Sequence, residues 1–361
     1  MAAVKGVVEG NRFCDGLKKS KWLPGMLLEM VSVGEETGKM EETLDVVSEY
    51  YTKEEYDDLY TMGISGSYCG IGATLSQNMD TMVVEVVKVQ EGSPAEEAGI
   101  KKGDLLVSAD EYIATSMELS EFVTHVKGEE GTTVTIEVYR ESTEEYLTFE
   151  ITRRPLDVIT VEAEMMENNT GYVLLSEFGG KTAPQFRDAI ASLQAQGMDK
   201  VIIDLRSNPG GNLTSVVEIL DMILPEGMIV YTEDKYGNRQ EFLATDEESL
   251  DMPMVVLIDG NSASASEIFA GAVKDHQIGT LVGTTTYGKG IVQSVMPMTD
   301  GSAVKLTISS YFTPKGNNIH GIGVEPDIVC EFDAEAYYDD PDHPDNQLEK
   351  AREVLTELME K

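Results

Sequence analysis

The sequence has little cysteine, histidine or positive charge, and each shortage closes off a class of chemistry. Its three cysteines, Cys14, Cys69 and Cys330, are far apart and odd in number, so neither a disulfide framework nor a cysteine zinc site is indicated. Each is expected as a small buried apolar side chain. None of the four histidines, His125, His276, His320 and His343, sits in a glycine-rich strand-end loop beside a serine, which leaves a Ser-His-Asp triad without its base. His276 is expected exposed, in a polar turn after a helix. Lys and Arg number 27 against 65 Asp and Glu, and a net charge of -38 repels nucleic acid phosphates and anionic headgroups, so neither is expected as a partner. No apolar run approaches the ~18 residues that cross a bilayer, and the N-terminus lacks the basic start, apolar stretch and small-residue cleavage site of an export signal.

What is present is a chain of 361 residues, 41% hydrophobic, long enough for two or three domains with real cores. The acidic excess is thickest at 35–58 and 331–360, where charge runs read as solvated faces or tails. Over residues 1–48, Leu23, Met26, Leu27 and Met30, then Met40, Leu44 and Val47, recur at helical spacing around Gly34 and Gly38. Residues 49–66 read as a linker. From 67 to 155 the pattern is of short alternating strands, Val83, Val84, Val86 and Val87, then Val134, Ile136 and Val138, then Leu147, Phe149 and Ile151. Short helices at Pro94–Ala98 and Leu119–Val126 interrupt them. Residues 156–330 alternate strand and helix: Tyr172–Leu175, 185–194, Val201–Leu205, 213–224, Val255–Ile258 and 267–274 predict a layered α/β core with mostly parallel strands. A half-buried strand through Val304, Leu306 and Ile308 follows, and the acidic tail 331–361 ends in an amphipathic helix carrying Leu348, Ala351, Val354, Leu355 and Leu358.

Three loops of the α/β region carry candidate chemistry: Asp204–Gly211, Asn261–Glu267 and 283–293. Each follows an apolar strand, and loops at the carboxyl ends of parallel strands converge on one crevice. Gly283-Thr284-Thr285-Thr286-Tyr287-Gly288-Lys289 has the spacing of a phosphate-binding loop, but Gly290 stands where a hydroxyl should hold magnesium and an apolar strand follows where a helix should begin. A serine nucleophile without histidine can use lysine as its base if its surroundings disfavour the ammonium form. Lys289 is the candidate, with Gly288 and Gly290 allowing close approach and Val282, Ile291 and Val292 able to desolvate the amine. Gln293 offers a neutral amide to orient it. The residues alone do not choose among Ser262, Ser264 and Ser266. A nucleophile here would open a helix, where the N–H of Ala265 can stabilise an oxyanion, with a second donor from the Pro209-Gly210-Gly211 turn, Gly210 first and Gly211 next. Asp204 and Arg206 read as a structural ion pair beside that turn.

Three resemblances follow from these motifs. Gly70-Ile71-Gly72-Ala73 before the first strand, and Gly92-Ser93-Pro94-Ala95 through Ala98-Gly99-Ile100 to Gly103-Asp104, resemble a PDZ domain. That likeness implies that the amides of Ile71, Gly72 and Ala73 cradle a peptide's terminal carboxylate, in a binding turn that Gly70 and Gly72 permit. Residues 1–50 resemble a fragment of the cytoplasmic domain of type II secretion and type IV pilus platform proteins (the F family), through Leu23-Pro24-Gly25-Met26, Val33–Gly38 and Leu44–Tyr51. No transport role is carried over. The block 171–327, with Asp204–Gly211, Ser262–Glu267, Gly288–Gln293, Tyr311-Phe312-Thr313-Pro314 and Gly323–Asp327, resembles the carboxyl-terminal-processing, or tail-specific, serine peptidases. It implies a crotonase- and Clp-protease-like core, Ser264 as nucleophile, Lys289 as general base and Gln293 as its orienter. Substrates would be proteins with free C-termini, cleaved without metal or cofactor, with a homo-oligomer compatible and an extracytoplasmic setting usual for the family. The competing reading is a non-catalytic PDZ scaffold or secretion-apparatus component.

Overall fold

The computed structural model describes residues 66–245, 249–297, 303–339 and 345–359. The helical segment expected at 1–48, the linker up to residue 65, Cys14 and His343 lie outside the described residues, as do the side chains of 293–306, Gln293 among them.

The strands of the first domain are β1 Ser67–Gly70, β2 Ala73–Gln77, β3 Val84–Val89, β4 Leu105–Ala109, β5 Tyr112–Ile113, β6 Thr133–Arg140, β7 Glu145–Thr152 and β8 Arg154–Asp157. β1 pairs antiparallel with β8, and β2-β3-β4-β6-β7 form a sheet with β5 against β4. Alternation places Val84, Val86, Val134, Ile136 and Val138 on one wholly buried face, against Phe122 of helix α2, Leu119–Val126. Helix α1, Pro94–Ala98, begins where Ser93 Oγ accepts the Glu96 N–H and stops at Gly99, whose φ of 96° suits glycine. Asp104 and Arg140 tie β4 to β6 with two hydrogen bonds of 2.7 Å, and Arg140 also donates to Gly99 O at 2.8 Å.

The second domain adds β9 Val161–Met166, β10 Thr170–Leu175, α3 Thr182–Ala195, β11 Lys200–Asp204, α4 Leu213–Asp221, β12 Gly227–Asp234, β13 Arg239–Ala244, β14 Met254–Ile258, α5 Ala265–His276, β15 Thr280–Gly283, β16 Ile291–Pro297, β17 Ala303–Phe312, β18 Ile328–Val329, α6 Ala334–Asp339 and α7 Asn346–Met359. Its main sheet runs β18-β15-β14-β11-β10-β9, with every pair parallel except β9 with β10. The strands are apolar throughout because both faces are covered. Val201, Ile203, Val256 and Ile258 point into a core with Phe178, Phe186 and Phe269, while Ile202, Val255 and Leu257 meet Ala351, Val354 and Leu355 of α7. This is the layered α/β architecture the sequence predicts, and the amphipathic helix expected in the acidic tail is its outer layer. β12 pairs with β13 and with residues 309–312 of β17.

Two expectations are corrected. Cys69 and Cys330 are free and only half-buried. His276 is the last residue of α5 and half-buried, with Nε2 2.7 Å from Met228 O, because the first residues of β12 lie against the helix end.

Candidate active site

The three loops follow β11, β14 and β15, which are neighbours in the sheet, and the main chain sews them together. Ala263 N–H donates to Asn208 O at 3.0 Å and Tyr287 N–H to Ser262 O at 3.0 Å. Ser207 N–H donates to Asp259 Oδ1 at 2.9 Å.

The three alternating serines separate by environment. Ser262 is fully buried; its hydroxyl donates to Leu205 O at 2.8 Å and accepts the Asp259 N–H at 2.9 Å. Ser266 is also fully buried and donates to Asn208 O at 3.0 Å. Both hold loops together. Ser264 is half-buried and caps α5 with φ 56° and ψ -111°, a sparsely populated conformation that costs about 1–3 kcal/mol unless its surroundings impose it.

What imposes it is Glu267, a wholly buried residue in the first turn of α5. Oε2 of Glu267 accepts the Ser264 N–H at 2.8 Å and the Lys289 N–H at 2.7 Å. Oε1 accepts Gly288 N–H at 2.7 Å and the Thr286 hydroxyl at 2.7 Å. One carboxylate thus fixes the Ser264 turn and the lysine turn together. Reading the sequence for chemistry missed this residue, although Ser264 with Glu267 three positions on has the Ser-x-x-Glu spacing of a helix capping box.

The glycine turn lies against the serine. A Cβ on Gly210, whose φ is 99°, would stand 2.7 Å from Ser264 Cβ and 2.9 Å from Ala265 N. The N–H of Gly210, however, is donated to Asn208 Oδ1 at 2.9 Å, which displaces it as the first choice of oxyanion donor. Among the described residues, the N–H groups of Gly211 and Ala265 have no protein acceptor. Gly211 is held in register with Phe178, whose carbonyl accepts the Asn212 N–H at 2.6 Å.

Asp204 and Arg206 are the expected ion pair, 2.6 Å apart, and Tyr172 donates its hydroxyl to Asp204 Oδ2 at 2.8 Å. Burial, together with the charge of Asp204, pushes the Tyr172 phenol above its ordinary range. In the PDZ domain, Gly70 ends β1, Ala73 begins β2, and Ile71 and Gly72 form the turn between them. Ile71 is buried and its carbonyl accepts the Ala95 N–H at 2.8 Å, while Gly72 has φ 84° and would place a Cβ 2.3 Å from Ser93 Cβ. Only glycine fits there. Among the described residues no group of three or more His, Cys, Asp or Glu is placed to hold a metal ion. None of their helices is long and apolar enough to cross a membrane.

A helix-opening serine, a glycine turn against it and a lysine turn clamped to the same carboxylate, joined in one chain to a PDZ domain, define the class of serine-type peptidases. Comparison with known proteins gives the family. The model of peptidase family S41 matches residues 169–330 and that of the PDZ domain residues 69–151. The chain is 34% identical over 325 residues to the carboxyl-terminal-processing protease of Synechocystis, covering 88% of this chain and 76% of that one. It is 35% identical over 298 residues to a Staphylococcus aureus protein named "Probable CtpA-like serine protease", covering 81% of this chain and 59% of that one. Among solved structures, the photosystem II D1 C-terminal processing protease aligns with a TM-score of 0.46 and 29% identity, over 80% of this chain and 77% of that one. The chain belongs to the carboxyl-terminal-processing serine peptidases of family S41. The resemblance of residues 1–50 to secretion platform proteins gains no support from these matches, and those residues lie outside the described ones.

Proposed function

We propose that the chain cleaves protein substrates through an acyl-enzyme on Ser264, with Lys289 as general base, and that the turn from Gly70 to Ala73 captures the substrate's free C-terminus. As Ser264 Oγ attacks the scissile carbonyl, its proton passes to the neutral amine of Lys289. The resulting ammonium then protonates the leaving amine, and water, deprotonated by the same lysine, releases the acyl group. The tetrahedral oxygen is met by the N–H of Ala265, at the positive end of α5, and by that of Gly211, with Gly210 keeping the turn close to the serine. Gln293, four residues after Lys289, orients the amine. The observation that carries the reading is that Ser264, alone of the three serines, sits in a constrained turn whose N–H shares Glu267 with the N–H of Lys289.

The test is digestion of an unfolded protein with a free apolar C-terminus, with fragments read by mass spectrometry. Ser264→Ala and Lys289→Ala should each remove nearly all cleavage in a folded chain, and the double variant should lose no more than either. Full activity of a folded Lys289→Ala chain overturns the dyad. No cleavage by the unaltered chain favours the scaffold reading.

A further inference from the structure

Tyr311, on β17, is 3% exposed and takes no part in the mechanism above. It is nevertheless bound to the lysine turn twice. Its N–H donates to Gly290 O at 3.2 Å, and its hydroxyl donates to the carbonyl of Lys289. The side chain of Ser264 lies near enough to the same hydroxyl to favour its ionised form, against the burial that disfavours it. The main chain of Lys289 is thus gripped from both sides, its N–H by Glu267 Oε2 at 2.7 Å and its carbonyl by Tyr311.

A phenol carries one proton. That proton is given to the Lys289 carbonyl. Burial, reinforced by the charge of Glu267, holds the phenol well above its ordinary titration range, so the proton stays where it is. We propose that Tyr311 is a positioning residue of the dyad: its hydroxyl and its N–H fix the lysine turn from the carbonyl side, opposite Glu267, and so hold the base in place beside Ser264. No proton is exchanged with Tyr311 in the reaction; the Ser264 proton passes to the Lys289 amine as the substrate carbonyl arrives. The inference rests on the Ser264–Lys289 reading.

Tyr311→Phe keeps the ring and its packing and deletes only the hydroxyl. It should lower kcat on the order of 10- to 100-fold, with KM within about twofold and the melting curve close to that of the unaltered chain. In a Lys289→Ala background the same change should cost nothing further, because the turn it positions no longer carries the base. An unchanged kcat, or an equal loss in both backgrounds, overturns the inference. Should Tyr311→Phe not fold, the unaltered chain still decides. With ring-labelled tyrosine, phosphonylation of Ser264 by a fluorophosphonate should shift the Tyr311 ζ-carbon resonance, and an unmoved resonance overturns the inference. A fully active Lys289→Ala chain removes the dyad itself, whereas a fully active Tyr311→Phe chain removes only the role given to Tyr311.

Discussion

Ser264 and Lys289 donate their main-chain N–H groups to the same oxygen, Oε2 of Glu267, at 2.8 and 2.7 Å. The spacing of the two turns is therefore set by one buried side chain and not by the stiffness of either loop. Glu267→Gln keeps the shape but turns one acceptor oxygen into a donor, so two of the four donors now facing the carboxylate are left opposite an N–H. Each orphaned donor costs about 1–3 kcal/mol. The expected outcome is a clear fall in melting temperature and a loss of turnover of tenfold or more, in the range of about 10- to 100-fold. Calorimetry and steady-state kinetics on the folded fraction check it. Unaltered kinetics would mean that Ser264 and Lys289 find each other without their shared acceptor.

The PDZ turn predicts a charge-dependent capture step. Amidating a substrate's C-terminus removes the anion that the amides from Ile71 to Ala73 would bind, and charge-assisted bonds are the stronger kind. Cleavage of the amidated peptide should slow through KM. In Gly72→Ala, a methyl 2.3 Å from Ser93 Cβ at a φ of 84° should distort the turn and erase the difference between free and amidated peptides. Equal KM values for the two peptides in the unaltered chain would assign the PDZ domain another task.

Much of this was legible in the sequence because period and turn chemistry act locally. The alternation of Val134, Ile136 and Val138, the uninterrupted apolar run of β14 and the Pro94 and Gly99 boundaries of α1 each depend on near neighbours. The choice among the three serines was not legible, since it depends on what their hydroxyls meet across the fold: Leu205 for Ser262 and Asn208 for Ser266. Nor was the engagement of the Gly210 N–H by Asn208, two residues back, since an Asn-x-Gly spacing does not reveal which way the side chain folds. The binding of Tyr311 to Lys289 joins residues far apart in the chain, and no periodicity encodes it.

Asp104 and Arg140 predict how the PDZ domain responds to acid. Burial alone would raise the Asp104 pKa, but its hydrogen bonds with Arg140 outweigh that and hold it below the ordinary carboxylate value, about 3.9. A depressed folded pKa means that the pair's stabilisation is complete above the unfolded value and is lost as pH falls through the folded one. Arg140→Ala, which strands a buried carboxylate, should cost about 3–5 kcal/mol near neutral pH. The gap from the unaltered chain should shrink at pH below about 4, as Asp104 is protonated. Denaturant melts across that range measure it, and a gap independent of pH would show that Arg140 acts through packing alone.

Arg206 joins the glycine turn to the outermost helix. It holds Asp204 at 2.6 Å, reaches Asp345 Oδ2 at 2.7 Å and donates to Gln347 Oε1 at 3.0 Å, while Asp345 Oδ1 caps α7 by accepting the N–H groups of Gln347 and Leu348 at 3.0 Å. Two changes can loosen α7 by different routes. Leu355→Ala, at a position 1% exposed, removes apolar packing against the sheet and should cost about 2–5 kcal/mol. Arg206→Ala strands the buried carboxylate of Asp204 and should cost about 3–5 kcal/mol. Only the second touches the segment that leads into Gly210 and Gly211. Turnover per folded molecule should therefore be preserved in Leu355→Ala and fall in Arg206→Ala, when each is assayed well below its own melting temperature. Equal losses in the two variants would make Arg206 an anchor for α7 and nothing more, and equal retention would mean that the glycine turn keeps its geometry without the ion pair beside it.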